Sequence, residues 1–320
     1  MTRKTAIIGA GMAGLTCARA LHDAGRSVVL FDKGRGPGGR MASRRVETDK
    51  GMLRFDHGAQ FFTAESPEFA EQVRHWTQGG AAARWDAASD AADDDLYVGT
   101  PAMNEVVRAQ AVGLDVRWGA RAERIERDGD GWQVVVDGEG AAFDAVVVAV
   151  PAEQAAELLQ EAAPEFAQVA GSSQSDPCWA LMAAFAQRLP IDADTHRSGD
   201  DARIAWAARD GAKPGRSGGE SWVVHASAGY SLRHLELDRE EMANLMVAAF
   251  FEELGAAPVV PEYATAHRWR YAKADPVDGP GYLLDADAGI GVCGDWLVAP
   301  KVEGAFRSGL SLGRAMAGGA

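Results

Sequence analysis

With 320 residues, 47% of them hydrophobic, the chain can bury a large core in one elaborated fold or two intertwined domains. Its formal net charge of −14 argues against nucleic acid or an anionic membrane as a partner, and no apolar run approaches a membrane span. Cys17, Cys178 and Cys293 are odd in number and form no CxxC pair, which speaks against a disulfide framework or a metal site. They suit buried thiols in a reducing compartment, and the opening residues are too glycine-interrupted for a signal peptide, so a cytoplasmic location is expected.

Residues 5–9 form a short apolar run suited to a buried parallel strand. A helix is expected from Met12 to Ala24, with Ala13, Gly14, Cys17 and Ala18 turned to the sheet, then a strand over Ser27–Phe31 that ends at Asp32. Residues 34–40 are too rich in glycine for regular structure. Ser66-Pro67-Glu68 opens a helix over 66–80, Ala87–Asp95 reads as an acidic turn, and Pro101–Val112 as a further helix. Strands are expected at Val116–Arg127, Trp132–Asp137 and Phe143–Val150, the last stopped by Pro151. The middle of the chain changes character. It carries a helix near 152–162, strands at Trp179–Phe185, Ile204–Arg209 and Trp222–Ala226, a flexible stretch over Gly211–Gly219, and a helix at 238–254. A short strand at Gly289–Gly294 and a helix from Glu303 to Ala317 close the sequence.

Gly9-Ala-Gly11-Met-Ala-Gly14 follows a strand, opens a helix and has an acid, Asp32, at the tip of the next strand. Gly9 permits the tight turn, Gly11 lets backbone N–H groups reach a pyrophosphate, and Gly14 lets helix pack on strand. A carboxylate at Asp32 accepts from an adenosine ribose and repels a 2′-phosphate. This fingerprint fits NAD and FAD alike.

Gly38-Gly39-Arg40 resembles the GG-R segment of the FAD-binding amine oxidase superfamily, where the arginine donates to the pyrophosphate. Near the C-terminus, Gly291-Val-Cys-Gly294-Asp295 followed by Glu303-Gly304-Ala305 is similar to the segment that binds the ribityl chain and aims a helix N-terminus at the flavin. Asp56-His57-Gly58-Ala59-Gln60-Phe61 resembles the Gly-Ala-Gln segment of renalases, which lies along the isoalloxazine. Asp176-Pro-Cys-Trp179, Trp222-Val-Val-His225 and His267-Arg-Trp269-Arg-Tyr271 also look like the bacterial renalase-like branch. The resemblance runs from residue 5 to about residue 314.

It implies a p-hydroxybenzoate-hydroxylase-like α/β fold. A Rossmann-type FAD-binding domain, discontinuous over 1–62, 98–151 and 276–320, would carry a β-rich α+β substrate domain built from 63–97 and 152–275. It implies non-covalent FAD held by Gly9, Gly11, Ala13, Gly14, Asp32, Lys33, Gly39, Arg40, Met41, Gly58, Ala59, Gln60, Phe61, Ala122, Gly294, Asp295, Glu303, Gly304 and Ala305. Ala102 and Ala122 depart from the pattern, Ala122 standing where a bulkier aliphatic often supports adenine. The implied reaction is hydride transfer to flavin N5 from off-pathway dihydro isomers of NAD(P), with O2 reoxidation giving H2O2.

No strong base is then needed, and Gln60, His225, Trp269 and Trp296 are expected as the catalytic pocket wall. His225 in an apolar strand equally suits a satisfied core histidine, and either tryptophan suits core packing. Arg268 and Arg270 could receive phosphates or form a solvated face. An amine oxidase is the rival enzyme. It often uses a lysine near the flavin, and of six lysines Lys273 and Lys301 lie in plausible site segments. A non-catalytic flavin-binding redox sensor and a desaturase are further alternatives; the latter needs a bigger apolar channel.

Overall fold

The computed structural model describes residues 3–48, 51–86, 95–199, 201–216 and 219–318. β1 (Lys4–Ile8) is apolar and buried because it runs through the middle of a parallel sheet. α1 (Met12–Asp23) returns along it with Met12–Ala18 buried, and β2 (Ser27–Asp32) lies beside it with Ile8 opposite Phe31. A hairpin of β3 (Arg44–Thr48) and β4 (Gly51–Phe55) follows. Next come α2 (Pro67–Gln78), the short pair β5 (Ala82–Arg84) and β6 (Tyr97–Gly99), and α3 (Glu105–Ala111). The acidic turn expected at 87–95 falls, apart from Asp95, outside the described residues.

The single strand expected over 116–127 is two strands in two sheets. β7 (Asp115–Trp118) pairs parallel with β2; Gly119 then turns the chain with φ +76°, and β8 (Ala122–Asp128) leaves the sheet. β8, β9 (Gly131–Val136) and β10 (Glu139–Phe143) form an antiparallel meander before β11 (Ala145–Val148) returns beside β1.

After β11 the chain makes α4 (Ala152–Leu159) and α5 (Pro164–Ser172) and then a second layer. β12 (Ser175–Phe185), β13 (Thr195–Arg197), β14 (Ile204–Arg209) and β15 (Glu220–Ala226) join β16 (Tyr263–Ala274) in an antiparallel sheet of order β13-β14-β15-β12-β16. Between β15 and β16 lie α6 (Ala228–Arg233) and α7 (Arg239–Glu253), the latter capped by Asp238, which accepts from the Glu240 and Glu241 amides. Met242, Met246, Phe250 and Phe251 of α7 pack on the sheet face that carries Trp179, Leu181, Trp222 and Val224.

β17 (Leu283–Asp285), β18 (Ile290–Val292) and α8 (Val302–Gly318) complete the first layer, whose order is β17-β18-β11-β1-β2-β7. The first and last segments therefore share one sheet, as a discontinuous nucleotide-binding fold requires. In the segments expected with the substrate layer, Ala152, Ala155 and Leu159 share a core with Ile8 and Val148, while Phe69, Val73 and Trp76 share one with Leu15 and Phe306 and also with Trp206 and Ala208 of β14. No described helix is long and apolar enough to cross a membrane.

Candidate active site

A cleft of about 1880 Å³ lies between the two layers. Ligand sites of ordinary size run to about 1,000 Å³, so this one has room for a dinucleotide and a second molecule. Its floor is the turn after β1. Gly9 holds φ +102°, and a Cβ there would stand 2.3 Å from the Ala149 carbonyl oxygen. Gly14 packs the helix, since its Cβ would meet the Gly9 oxygen at 2.0 Å; it does not face the cleft. Gly11 lines the cleft, and apart from its own chain neighbours no protein atom lies within 4 Å of where its Cβ would be. The missing side chain thus leaves ligand space rather than packing space, which fits a pyrophosphate against the start of α1.

Ala13, Lys33, Gly39, Met41 and Ala122 line the same half. Asp32 accepts from the Ala10 and Gly34 amides, each at 2.7 Å, so its carboxylate is fixed where the ribose is expected. Lys33 donates to Gln154 at 2.9 Å, and burial followed by the nearby Arg121 charge lowers its pKa. Arg40 and Asp295, from opposite ends of the chain, join through hydrogen bonds of 2.8 and 2.5 Å. Gly294 lines the cleft and donates its amide to Ser308, tying the end of β18 to α8. Gly58, Ala59, Phe61 and Ala305 complete the wall toward the substrate layer.

Four expected residues have other work. Trp296 is fully buried in the core, donates to the Val150 carbonyl at 3.2 Å, and does not line the cleft. Gly304 is a close-packing position, its Cβ 2.0 Å from the Ala299 oxygen. Glu303 lines the cleft, but its carboxylate accepts from the Glu65 and Ser66 amides at 2.9 and 2.8 Å. Burial would raise its pKa, and these bonds outweigh that and lower it. Gln60 lies behind the wall rather than in it.

The substrate side follows from strand alternation. In β12, Trp179 and Leu181 face α7, which turns Cys178 and Ala180 to the other face. Ala180 is in register with His225 on β15 and His267 on β16, and His225 with Trp206 on β14. One row across the sheet therefore reads Trp206, His225, Ala180, His267, with Cys178 and Trp269 paired in the next. His57 stacks on Trp269 at 5.2 Å and meets His267 edge-on at 4.8 Å. Trp269 Nε1 donates to the His57 carbonyl at 2.8 Å. Burial is the main reason that His57, His225 and His267 are each pushed down to about 4, so all three are neutral at pH 7.

Lys213 is the residue the sequence reading missed. It lies in the glycine-rich stretch 211–219, whose composition predicts flexibility, yet it is fully buried with Asp56 and Asp210, and Arg216 pairs with Asp56 beside it. The only hint was a lysine in a chain that uses arginine almost everywhere. Burial would raise the pKa of Asp56, but the Lys213 and Arg216 cations hold it at about 2. Lys273 and Lys301, the lysines singled out in sequence, line the cleft; Lys301 pairs with Glu65 at 2.8 Å.

A family model for flavin containing amine oxidoreductase matches residues 85–314, and one for an NAD(P)-binding Rossmann-like domain matches residues 7–76. The chain belongs to the flavin containing amine oxidoreductase family. It is an FAD-dependent oxidoreductase. Similar solved structures include a proposed protoporphyrinogen oxidase from Exiguobacterium sp. 255-15, with TM-score 0.76 and 12% identity over 99% of both chains. A variant of putrescine oxidase gives 0.74 and 16% over 99% of both, and cyclohexylamine oxidase from Brevibacterium oxydans IH-35A gives 0.69 and 13% over 99% of both. At these identities the likeness establishes the shared fold. Cysteine placement accords with non-covalent FAD. Cys17 and Cys293 are buried, and burial pushes the Cys178 thiol, the one at the cleft, up to about 12. Among the described residues no cluster suits a metal.

Proposed function

We propose that this flavoenzyme is a renalase-like oxidase of off-pathway dihydro isomers of NAD(P). The charge of the substrate side carries the reading. Along residues 176–273 the cleft is lined by Arg239, Arg268, Arg270 and Lys273 against Asp176 and Asp238, in a protein whose net charge is −14. Arg268 and Arg270 share a single exposed carboxylate, Glu236, so an excess of positive charge remains. That lip suits a phosphate-bearing substrate and repels a protonated amine.

Bound FAD supplies the hydride acceptor and passes the electron pair to O2. The protein contributes orientation and exclusion of water. The turn after β1, Asp32, and the Arg40–Asp295 pair would hold the cofactor along the floor. Trp269 and His267, backed by the buried His57 ring, form a neutral wall that offers a dihydropyridine ring a flat face without an acid to protonate it. A dihydropyridine nitrogen expels hydride unaided, so no base is required of these groups.

Amine oxidation is the second reading. It is favoured by the Phe61–Trp206 pair at the cleft, in contact at 5.4 Å and tilted by 56°, which gives an uncharged amine an aromatic surface to lie against. Anaerobic mixing separates the two. 2-Dihydro-NAD(P) should bleach the flavin band at about 450 nm within seconds. Faster bleaching by putrescine or another simple amine would replace the first reading with the second.

A further inference from the structure

We propose that Arg268 and Arg270 form a phosphate site at the mouth of the cleft, held by the carboxylate of Glu236 until a substrate phosphate displaces it. The spacing along β16 builds the pair. Residues two apart on a strand share a face, so the two arginines lie side by side, while Trp269 between them turns to the face that carries His267. β16 is the edge of its sheet, and residues from both its faces line the cleft.

Arg268 is held from behind. Its guanidinium lies over the Trp179 ring at 5.5 Å and donates to the Leu235 carbonyl at 2.5 Å. Arg270 meets Glu236 through two bonds of 2.8 and 2.9 Å, and Arg268 adds a third, of 3.0 Å, to the same carboxylate. Two guanidinium forks around one small oxyanion is an arrangement that suits a phosphate equally well.

Glu236 is free to leave. Its side chain is 70% exposed, and among the described residues its carboxylate is bonded to these two arginines alone. The backbone of the turn is fastened separately, since Trp179 Nε1 donates to the His234 carbonyl at 3.0 Å. Exposed ion pairs contribute little to stability, so exchanging this carboxylate for another anion costs little. A phosphate brings more negative charge than a carboxylate and more acceptor oxygens. Arg239, at the start of α7, lines the same cleft and forms no ion pair among the described residues, so its charge is available to the newcomer. The inference rests on the proposed function only in taking the substrate to carry phosphate.

Titration calorimetry of the holoenzyme with NAD+, NADP+ and nicotinamide riboside tests it. Glu236→Gln keeps the shape and removes the charge. It should tighten both dinucleotides about threefold to tenfold and leave the riboside, which carries no phosphate, unchanged. Equal gains for NAD+ and NADP+ place the pyrophosphate at the site; a gain confined to NADP+ places the 2′-phosphate there. Arg270→Gln should weaken the responding dinucleotide about tenfold and cancel most of the gain when combined with Glu236→Gln. Glu240→Gln removes an equal charge from the first turn of α7 without touching either arginine, and should change nothing. Unchanged or undetectable dinucleotide affinity in Glu236→Gln, an equal gain for the riboside, or an equal gain from Glu240→Gln would each overturn the proposal. None of these probes donates hydride, so failure of 2-dihydro-NAD(P) to bleach the flavin removes the proposed function and leaves the binding result standing.

Discussion

Asp295 is almost wholly buried and gives both carboxylate oxygens to Arg40, whose guanidinium reaches it from the loop after β2. A hydrogen-bonded charge pair of this kind is planar and bidentate, so its geometry fixes both ends. Asp295→Ala would leave Arg40 without its anchor and remove the expected acceptor for the ribityl chain. Hydrogen bonds to charged groups contribute about 1.5–3 kcal/mol, so FAD affinity should fall roughly tenfold to a hundredfold. Flavin content after gel filtration reads this directly, and full retention would remove the role assigned to Asp295. Trp296, the neighbouring residue, should behave differently. Trp296→Phe loses the bond to Val150 and some core volume, with a cost of about 1–3 kcal/mol in unfolding free energy. The ratio of kcat/KM between two substrates should not move, because the ring does not reach the cleft. Sequence motifs located Asp295 because backbone beside a cofactor must be glycine-rich. They could not separate Trp296 from a cleft residue, since an indole serves core and pocket equally well.

α1 and α8 bring the two ends of the chain together, and small residues make this possible. A Cβ on Gly309 would stand 2.1 Å from the Ala13 oxygen, and one on Gly313 2.7 Å from the Ala20 Cβ. The helices therefore touch along their backbones, which places the start of α1 and the Gly294–Asp295 segment on one floor. Gly309→Val must push the helices apart, because the obstacle is backbone and cannot rotate away. Overpacking costs about 1–3 kcal/mol as a rule, and this substitution should reach the upper end. The urea midpoint and FAD retention should fall together; an unchanged flavin content in a destabilised variant would uncouple the helix contact from the cofactor floor. The core strands and α1 were legible in the sequence, because a buried parallel strand reads as an unbroken apolar run. β3 and β4 were not, since Arg44, Arg45, Glu47 and Arg54 keep that hairpin polar. The break between β7 and β8 depends on one glycine, Gly119, and the strand pattern runs through it unmarked.

Across the whole molecule, the nucleotide half of the site was readable because its residues sit in short motifs. The substrate half assembles from segments far apart: Lys213 reaches Gln60 across 153 positions, and His225 reaches His57 across 168. No spacing rule connects them, and only the fold of the five-stranded sheet against the 56–60 loop does. That assembly has a consequence for stability against pH. His57, His225 and His267 have folded pKa values of about 4, chiefly through burial, against an ordinary value of 6.5. Between those limits the unfolded chain binds protons that the folded chain refuses. Stability is therefore fully present above pH 6.5 and is lost as pH falls toward 4. Asp56 adds a second, lower window, because its folded value of about 2 lies below the ordinary 3.8; its contribution is lost as pH falls from 3.8 through 2. Each fully shifted histidine contributes a slope of about 1.4 kcal/mol per pH unit, and His267, only partly buried, contributes less. Urea unfolding at pH 7, 6 and 5 should show a steep decline that His267→Gln softens slightly. A flat profile over that range would mean that the three rings titrate as free histidines and that the cleft wall is wet.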